Sequence, residues 1–462
     1  MTQPAHTQLH SAAKKSQFVN MLVAVGLQDA GFEHGYHDTL TKRERLLALL
    51  QSDLGFEGYK TGYASHDLHA FAAKFPPQLA RLFIQGLSQP GDKVLDPMVG
   101  SGTAAVEAML CGRKAIGIDI DPLALRLSRV KTTRYDLTTL RETTADVVDN
   151  ARDLQRDKPR MERHLRLRFA KEEQEFINYW FQRSTQIELI ALISAMETIV
   201  DESARSFLEL TFSSIIVTKS GGVSLARDLA HSRPHLDKSK SPKNAIDQFS
   251  ARAVRNLASL AAIRRCRYKP RIIEGDARKL KLSDDSVDLV VTSPPYANAI
   301  DYMRAHKFSL VWLGRTVPEL TEFRGKYIGS EKTNGFRSAM LPKQAADVVA
   351  QLRRLDSRKS IILEKYFVEM RAVFVEMYRV LKADACSVVV VGCSTMRGLD
   401  VQTHQCLARI AQQSGFDVVG IARRQLDRNR RMMPARFGSN GTTGIEQRMH
   451  DEYVIGLIKP TK

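Results

Sequence analysis

Cysteine is scarce in this chain of 462 residues, which contains five. The five cysteines show neither the close pairs of a zinc site nor the even count of a disulfide framework, which favours a reducing compartment. Long apolar runs are also missing, since no segment approaches the about 20 residues that span a membrane. Residues 1–17 are polar and have no apolar core typical of a signal peptide. We therefore expect a cytoplasmic protein with no membrane partner.

Acidic residues are few compared with basic ones. The chain has 51 Asp and Glu against 69 Lys and Arg, which gives a formal net charge of +18. Such a surplus attracts polyanions, because basic side chains neutralise phosphates and release their counterions. Nucleic acid is therefore the favoured partner, and the alternative is a charge that serves solubility alone.

The chain alternates strand and helix patterns at both ends of a long helical stretch. Residues 93–96 form an apolar strand, a glycine-rich turn follows, residues 103–111 are helical and residues 115–120 form a second strand. Such a βαβ unit implies a parallel sheet covered on both faces, so the predicted fold class is α/β. Further strands are expected at 271–274, 287–292, 386–392, 416–422 and 452–458, and further helices at 303–313, 361–381 and 401–413.

Residues 137–266 interrupt this alternation. Their apolar side chains recur at helical spacing, as in Ile177, Phe181, Ile187 and Leu192. We interpret this segment as a mostly helical insertion into the α/β fold. Within it, residues 219–243 are rich in Lys, Arg, His and Gly, which fits either a mobile basic loop or a solvated linker.

The turn after the first strand has the features of a ligand site. Gly100 and Gly102 allow backbone to approach a ligand closely, and the following helix offers free N–H groups at its start. Ala105 stands where a dinucleotide fingerprint has its third glycine, so pyrophosphate binding is disfavoured. The next strand ends in Asp119, whose carboxylate can accept hydrogen bonds from ribose hydroxyls.

The run Asp96–Thr103 and the segment 112–122 resemble the first two motifs of the amino-directed DNA methyltransferases. The resemblance implies a Rossmann-like fold that binds S-adenosyl-L-methionine, with Gly100 and Gly102 at its methionine part and Asp119 at its ribose. The residues expected at the cofactor from these two motifs are Asp96, Pro97, Gly100, Ser101, Gly102, Thr103, Asp119 and Asp121.

Two further residues take cofactor roles by the same resemblance. Phe75, ahead of a Pro-Pro helix start, is similar in position to the family segment that closes over the methionine end, although a core aromatic would also fit. Asp276 follows the third strand, where the family has an acid that meets the adenine amino group. An aspartate there is also a common turn residue.

The run Ser293-Pro294-Pro295-Tyr296 directly follows an apolar strand. Two consecutive prolines stiffen the loop and leave carbonyl oxygens free as acceptors. An exocyclic amine conjugated to a base ring is a poor nucleophile, and acceptors for its N–H groups help as the nitrogen becomes tetrahedral. Ser293 and the Pro294 carbonyl can accept these bonds, while Tyr296 offers a face on which an extruded base stacks. A rigid loop without catalytic function is the alternative.

The loop resembles the Ser-Pro-Pro-Tyr motif of the same family. Serine at its first place is associated with cytosine N4, and Asp or Asn with adenine N6. The chain has no Pro-Cys dipeptide, which sets aside cytosine-C5 methyltransferases, whose nucleophile is a thiolate. The function expected is therefore cytosine-N4 methylation of DNA. Adenine-N6 methylation, methylation of RNA or of a protein amide, and an inactive nucleic-acid-binding module stay open.

The motif order divides the chain into four parts. They are an N-terminal extension (1–64), a cofactor-binding half (65–136), the insertion (137–266) and a catalytic half (267–462). Target recognition is expected in the insertion or, alternatively, in residues 298–359. A basic stretch that contains Arg423, Arg424, Arg428, Arg430 and Arg431 is expected either to contact phosphates or to be a solvated loop. Whether a restriction endonuclease is a partner stays open.

Overall fold

The computed structural model describes residues 40–71, 74–218, 222–227, 234–297, 301–426 and 451–461. Within these ranges a seven-stranded sheet forms the centre of the molecule, in the order β6-β7-β5-β4-β1-β2-β3. All neighbouring strands pair in parallel except β7, which is antiparallel to both of its neighbours. The predicted α/β class with a mostly parallel sheet is therefore confirmed. The strands are β1 (Lys93–Asp96), β2 (Lys114–Asp119), β3 (Arg271–Glu274), β4 (Val287–Thr292), β5 (Leu381–Gly392), β6 (Asp417–Gln425) and β7 (Asp451–Ile458).

Helices cover both faces of the sheet. Parallel strands need such cover because both of their faces carry apolar side chains, as the run Val388–Val391 of β5 shows. The helices are α1 (Lys42–Leu50), α2 (Pro77–Leu87), α3 (Thr103–Leu110), α4 (Pro122–Thr132), α5 (Leu137–Leu154), α6 (Lys158–Arg168), α7 (Lys171–Trp180), α8 (Arg183–Glu197), α9 (Glu202–Ile216), α10 (Ala245–Leu260), α11 (Tyr302–Leu310), α12 (Val317–Lys326), α13 (Lys343–Leu355), α14 (Ser357–Val380) and α15 (Thr403–Gln413). Two short ribbons pair Ala226–Arg227 with His235–Leu236 and Thr395–Met396 with Leu399–Asp400.

Three apolar clusters hold these elements together. One joins the sheet to α1, α2 and α3, through residues such as Leu49 and Phe83. A second joins it to α13, α14 and α15, through residues such as Phe367 and Leu407. The third contains the helices of the insertion together with α4 and α11, and includes Leu127, Phe212 and Trp312. The insertion is helical, as predicted, and it shares one core with the helices that follow β2 and β4.

The largest difference from the sequence-based expectation lies at β5. This strand begins at Leu381, directly after α14 ends at Val380, whereas the sequence predicted a start at residue 386. Residues Lys382–Asp384 are exposed, so the first part of the strand lacks the apolar pattern by which strands are found.

Among the described residues, none of the helices has the length and apolar character that a membrane span requires.

Candidate cofactor and catalytic site

The turn between β1 and α3 adopts a backbone that requires glycine. Gly100 has φ +47° and Gly102 has φ +80°, both in the left-handed region. A Cβ on Gly102 would lie 2.9 Å from Oγ and 3.2 Å from Cα of Ser128 in α4. Because backbone cannot easily give way, this close approach explains the second glycine.

Helix α4 holds the carbonyl groups of the glycine loop. Ser128 Oγ donates to the Gly100 carbonyl at 2.9 Å, and Lys131 Nζ donates to the Ser101 carbonyl at 2.8 Å. Lys131 is fully buried, and burial lowers the pKa of its ammonium group well below the ordinary value. Ser101 and Thr103 place their hydroxyl oxygens 3.1 Å apart in the same turn. Two side chains of α4 therefore support the path of the loop.

Asp119 lies at the end of β2 and faces the glycine loop. Its carboxylate accepts hydrogen bonds from the backbone N–H groups of Gly100 (2.8 Å), Ile120 (2.8 Å) and Asp121 (2.9 Å). Burial and the nearby Asp121 carboxylate raise the pKa of Asp119 to about 6. The structure thus brings the predicted ribose acid and the predicted glycine loop together.

Asp121 connects this region to the helices after the predicted catalytic loop, Ser293–Tyr296. One oxygen caps α4 by accepting from the N–H groups of Leu123 and Ala124, and the other lies 2.7 Å from both His306 Nδ1 and the Tyr327 hydroxyl. Burial raises the pKa of Asp121, but the contact with His306 outweighs it and the pKa lies below the ordinary value. Sequence reasoning missed His306 and Tyr327, because nothing local marks them as partners of an acid about 200 positions away.

Two aromatic residues precede α2 in the segment predicted to close over the cofactor. Phe75 is 6% exposed and belongs to the apolar cluster that includes Val99 and Ala104. Phe71 stacks on Tyr302, with ring centroids 5.4 Å apart and planes at 26°. Its ring lies 3.4 Å from the position that a Cβ on Gly100 would take. Phe71 is therefore an aromatic neighbour of the glycine loop that the sequence did not single out.

Asp276 follows β3 by two residues and is partly exposed. Arg278 donates to it from Nε (2.9 Å) and Nη2 (2.7 Å), and also contacts Glu369 at 2.6 Å. Burial raises the pKa of Asp276, but the hydrogen bonds from Arg278 outweigh it and hold the pKa below the ordinary value. The carboxylate at this edge is thus charged and fixed in orientation.

The strands that carry the glycine loop and the catalytic loop are direct neighbours. Leu95 of β1 pairs in register with Val290 of β4. One residue further along β1, the carboxylate of Asp96 accepts a 2.6 Å hydrogen bond from the hydroxyl of Thr292, the last residue of β4. Burial raises the pKa of Asp96 to about 7. The adjoining Pro97 is buried as well.

The catalytic loop leaves β4 at the same edge of the sheet. Pro294 is buried, whereas Ser293, Pro295 and Tyr296 are partly exposed. The Tyr296 hydroxyl donates to Glu452 Oε1 at 3.0 Å. Burial and Glu452 raise the pKa of Tyr296 well above its ordinary value, which keeps the hydroxyl a neutral donor. Glu452 is a site residue that the sequence analysis missed.

The basic stretch near the C-terminus divides into two parts. The expectation that Arg424 is a solvated or phosphate-contacting residue is wrong, because it is 4% exposed and pairs with Glu452 at 2.7 Å. The two residues are register partners in β6 and β7, so strand pairing buries the arginine. Arg423 is exposed and pairs with Asp451. Arg428, Arg430 and Arg431 lie outside the described residues, as does part of the basic segment 219–243.

This geometry defines a class of protein. A parallel sheet with a glycine loop after β1, an acid after β2 and a Pro-Pro loop after β4 is the arrangement implied for S-adenosylmethionine-dependent methyltransferases. Residues 51–129 match the family model for N6/N4 methyltransferases, described as DNA methylase. The predicted resemblance to the amino-directed DNA methyltransferases and the predicted cofactor, S-adenosylmethionine, are thereby confirmed.

Relatives extend the similarity over most of the chain. The Type II methyltransferase M.MvaI of Kocuria varians is 24% identical over 390 residues, which cover 77% of this chain and 83% of the relative. The Type II methyltransferase M.BsoBI of Geobacillus stearothermophilus is 24% identical over 422 residues, which cover 79% and 78% of the two chains. A solved S-adenosylmethionine-dependent methyltransferase from Methanosarcina mazei aligns over 82% of this chain and 98% of its own, with 11% identity and a TM-score of 0.29. The sequence matches support DNA methylation that uses S-adenosylmethionine.

Proposed function

We propose that this chain transfers a methyl group from S-adenosylmethionine to N4 of cytosine in DNA. The observation that carries the proposal is the position of the Ser293–Tyr296 loop beside the glycine loop, on adjacent strands joined by the Thr292–Asp96 hydrogen bond. Two reacting groups held by these loops would meet at one edge of the sheet. Holding them in line is the main contribution such an enzyme makes to this reaction.

The residues at the glycine loop fit the cofactor. The lack of a Cβ at Gly100 lets the Phe71 ring lie directly against the loop proposed to hold the methionine part, and Gly102 turns the backbone into α3. A carboxylate offers about four acceptor positions, and Asp119 uses three on backbone N–H groups, so one stays for a ribose hydroxyl. Asp276 would accept from the adenine amino group. The remaining residues proposed for this pocket are Phe75, Asp96, Pro97, Ser101, Thr103 and Asp121.

The catalytic loop provides acceptors for the target amine. When bound, S-adenosylmethionine supplies a methyl group that is already activated on a sulfonium. Ser293 Oγ and the Pro294 carbonyl accept hydrogen bonds from the exocyclic N–H groups and direct the nitrogen lone pair toward that methyl. Such acceptors act most strongly where charge develops in the transition state. Pro295 stiffens the loop so that both acceptors stay in place.

Tyr296 would hold the extruded base by stacking. Its hydroxyl is tied to Glu452, and Glu452 is held by Arg424, so the ring has a fixed plane before any base arrives. A preformed ring spends less entropy on binding than a mobile one. This support comes from β6 and β7, strands far from the loop in sequence.

Serine at position 293 favours cytosine over adenine. The test is single-turnover methylation at saturating S-adenosylmethionine, with duplexes that contain either cytosine or adenine as the sole methylatable base. We expect N4-methylcytosine after digestion of the product to nucleosides. If the product is N6-methyladenine, the target base is adenine and not cytosine, and the proposed role of the Ser293–Tyr296 loop is unchanged.

A charge imbalance beside the catalytic loop supports a nucleic-acid substrate. Asp301 forms ion pairs with both Arg304 (2.9 Å) and Arg324 (2.5 Å), and Glu331, which also interacts with these arginines, pairs with Lys359. Two carboxylates thus face three cations. Both arginines are partly exposed and suited to bidentate phosphate contact. Methyl transfer to matched DNA and RNA oligonucleotides separates the two polymers, and activity on RNA alone would reject DNA as the substrate.

Target recognition is assigned to the helical insertion 137–266, with 298–359 as the competing segment, and a restriction endonuclease is a candidate partner. The alternative function is a basic nucleic-acid-binding module without catalysis. Calorimetry with S-adenosylmethionine distinguishes the two, because the module would bind DNA and no cofactor. Absence of cofactor binding would favour that alternative.

A further inference from the structure

A second basic surface lies at the edge of the sheet opposite the catalytic loop. Lys93, Lys114 and Arg271 are the first residues of β1, β2 and β3, and Lys93 and Lys114 are register partners. The segment that leads into β3 adds more cations. The members of this surface, which we call the amino-edge surface, are Lys93, Lys114, Arg264, Arg265, Arg267, Lys269 and Arg271, and all are exposed.

None of the seven side chains forms a salt bridge within the described ranges. Asp136, an acid that borders the surface, interacts electrostatically with Arg264. The bordering carboxylates have other contacts: Asp92 accepts from the Gln89 N–H, Asp136 caps α5 and Asp288 pairs with Lys382. Neighbouring strands lie about 4.8 Å apart, so like charges on adjacent strand ends repel one another. An external anion would relieve this repulsion.

The surface also has a fixed aromatic centre. The Tyr268 ring lies between two cations, with Lys114 Nζ 5.4 Å and Arg267 Cζ 5.2 Å from its centroid. Arg134 donates to the Cys266 carbonyl and extends the positive region toward the end of α4. Cations held over an aromatic ring are ordered before a ligand arrives, which suits phosphate contact.

We propose that the amino-edge surface binds the phosphate backbone of a second stretch of duplex DNA, separate from the stretch at the catalytic loop. Four of its seven cations are arginines, which match phosphate bidentately. Among the described residues, the segment 264–271 has no large apolar side chain that is exposed. A protein or membrane partner would need such side chains, so both are disfavoured. The cofactor and catalytic loops leave the carboxyl ends of the same strands, so the two surfaces act independently.

The test compares two triple variants of the full-length chain. Arg267→Gln/Lys269→Gln/Arg271→Gln changes the amino-edge surface at residues outside the segments considered for target recognition. Lys60→Gln/Lys279→Gln/Arg409→Gln removes the same charge from exposed side chains that form no salt bridge within the described residues and lie outside both of those segments. DNA affinity is measured against salt concentration on a duplex long enough to reach both surfaces. Methylation is measured on a short duplex, and melting temperature checks the fold.

For the amino-edge variant we expect the slope of log affinity against log salt to fall by about 2–3 units, at roughly 0.9 per lost phosphate contact. The control variant should keep the wild-type slope, and both variants should methylate the short duplex at the wild-type rate. An unchanged slope, or an equal fall in both variants, would overturn the proposal. Loss of binding to phosphatidylserine vesicles with an unchanged DNA slope would reject DNA as the occupant. If wild type methylates no duplex, the proposed function is rejected, whereas the proposal for the amino-edge surface is still decided by the salt slopes.

Discussion

The Tyr296 hydroxyl donates a 3.0 Å hydrogen bond to Glu452, a buried carboxylate on the antiparallel strand β7. This contact joins the catalytic loop to the opposite end of the chain. It predicts that the hydroxyl orients the ring, in addition to the stacking that the ring itself provides. Tyr296→Phe should therefore methylate more slowly than wild type and faster than Tyr296→Ala, by about tenfold for each 1.4 kcal/mol lost in the transition state. Single-turnover rates check this order.

Glu452→Gln extends the same prediction. If Glu452 acts through the Tyr296 hydroxyl, the substitution should slow methylation in wild type and have little further effect in Tyr296→Phe. Because Arg424 would be left buried without its partner, Glu452→Gln/Arg424→Gln is measured as well, with melting temperature as the check on folding. Equal effects of Glu452→Gln in both backgrounds would contradict a role through Tyr296.

Ser293→Ala should slow methyl transfer and leave cofactor affinity intact. The hydroxyl is proposed to accept from the target amine, and loss of one such acceptor is worth on the order of 100-fold in rate. Single-turnover kinetics gives the rate and calorimetry gives the affinity. A Ser293→Ala/Tyr296→Ala double variant with full activity would remove the catalytic role of the loop.

Asp119→Ala should weaken S-adenosylmethionine binding by roughly 1–3 kcal/mol through lost ribose hydrogen bonds. The same change also removes the acceptors of the Gly100, Ile120 and Asp121 N–H groups, so melting temperature is measured as well, and Asp119→Asn, which keeps one of the two acceptor oxygens, is compared with it. Calorimetry measures both variants. Wild-type affinity in Asp119→Ala would contradict the ribose assignment.

Gly102→Ala should disrupt the cofactor loop, and Gly112→Ala is its matched control. Both glycines have positive φ, +80° and +72°, so either substitution carries about 1–2 kcal/mol of backbone strain. A Cβ at position 102 would also clash with Ser128, whereas one at position 112 meets nothing within 4 Å. We expect a modest fall in melting temperature for Gly112→Ala, and a larger fall with lost cofactor binding for Gly102→Ala. Equal behaviour of the two would show that the close approach is unimportant.

Stability should depend on pH through Asp96. Its pKa in the folded chain is raised from 3.8 to about 7, so the protonated form is favoured by folding. The stability this contributes is complete below about pH 4 and is lost as pH rises through about 7. Asp96→Asn cannot ionise and should lose less melting temperature than wild type over that interval. If the melting temperatures of wild type and Asp96→Asn change equally between pH 4 and pH 8, the raised pKa of Asp96 is rejected.

The sequence predicted the elements whose signals are local. Gly100, Gly102 and Asp119 stand in a short strand-turn-helix-strand unit, where backbone conformation and burial follow from neighbouring residues, and the structure places them together. Their roles toward the cofactor stay predictions. The Ser293–Tyr296 loop also has a local signal, a Pro-Pro run directly after β4, and its catalytic role stays a prediction.

Contacts between distant strands were not predictable in this way. Arg424 stands among other arginines and resembles a solvated residue, yet pairing of β6 with β7 places it opposite Glu452 and buries both. His306 meets Asp121 only because the insertion, α4 and α11 share one apolar core. Such partners depend on the complete packing of the chain, which no local pattern encodes.

The adjacency of β1 and β4 also determines how freely this chain can be redesigned. The gap between the two reactive loops is set by interstrand hydrogen bonds and by the Thr292–Asp96 contact, although about 190 residues separate them along the chain. Changes confined to helices α5–α10 would leave these strand contacts in place, and would reach the two loops only through the apolar core that these helices share with α4 and α11.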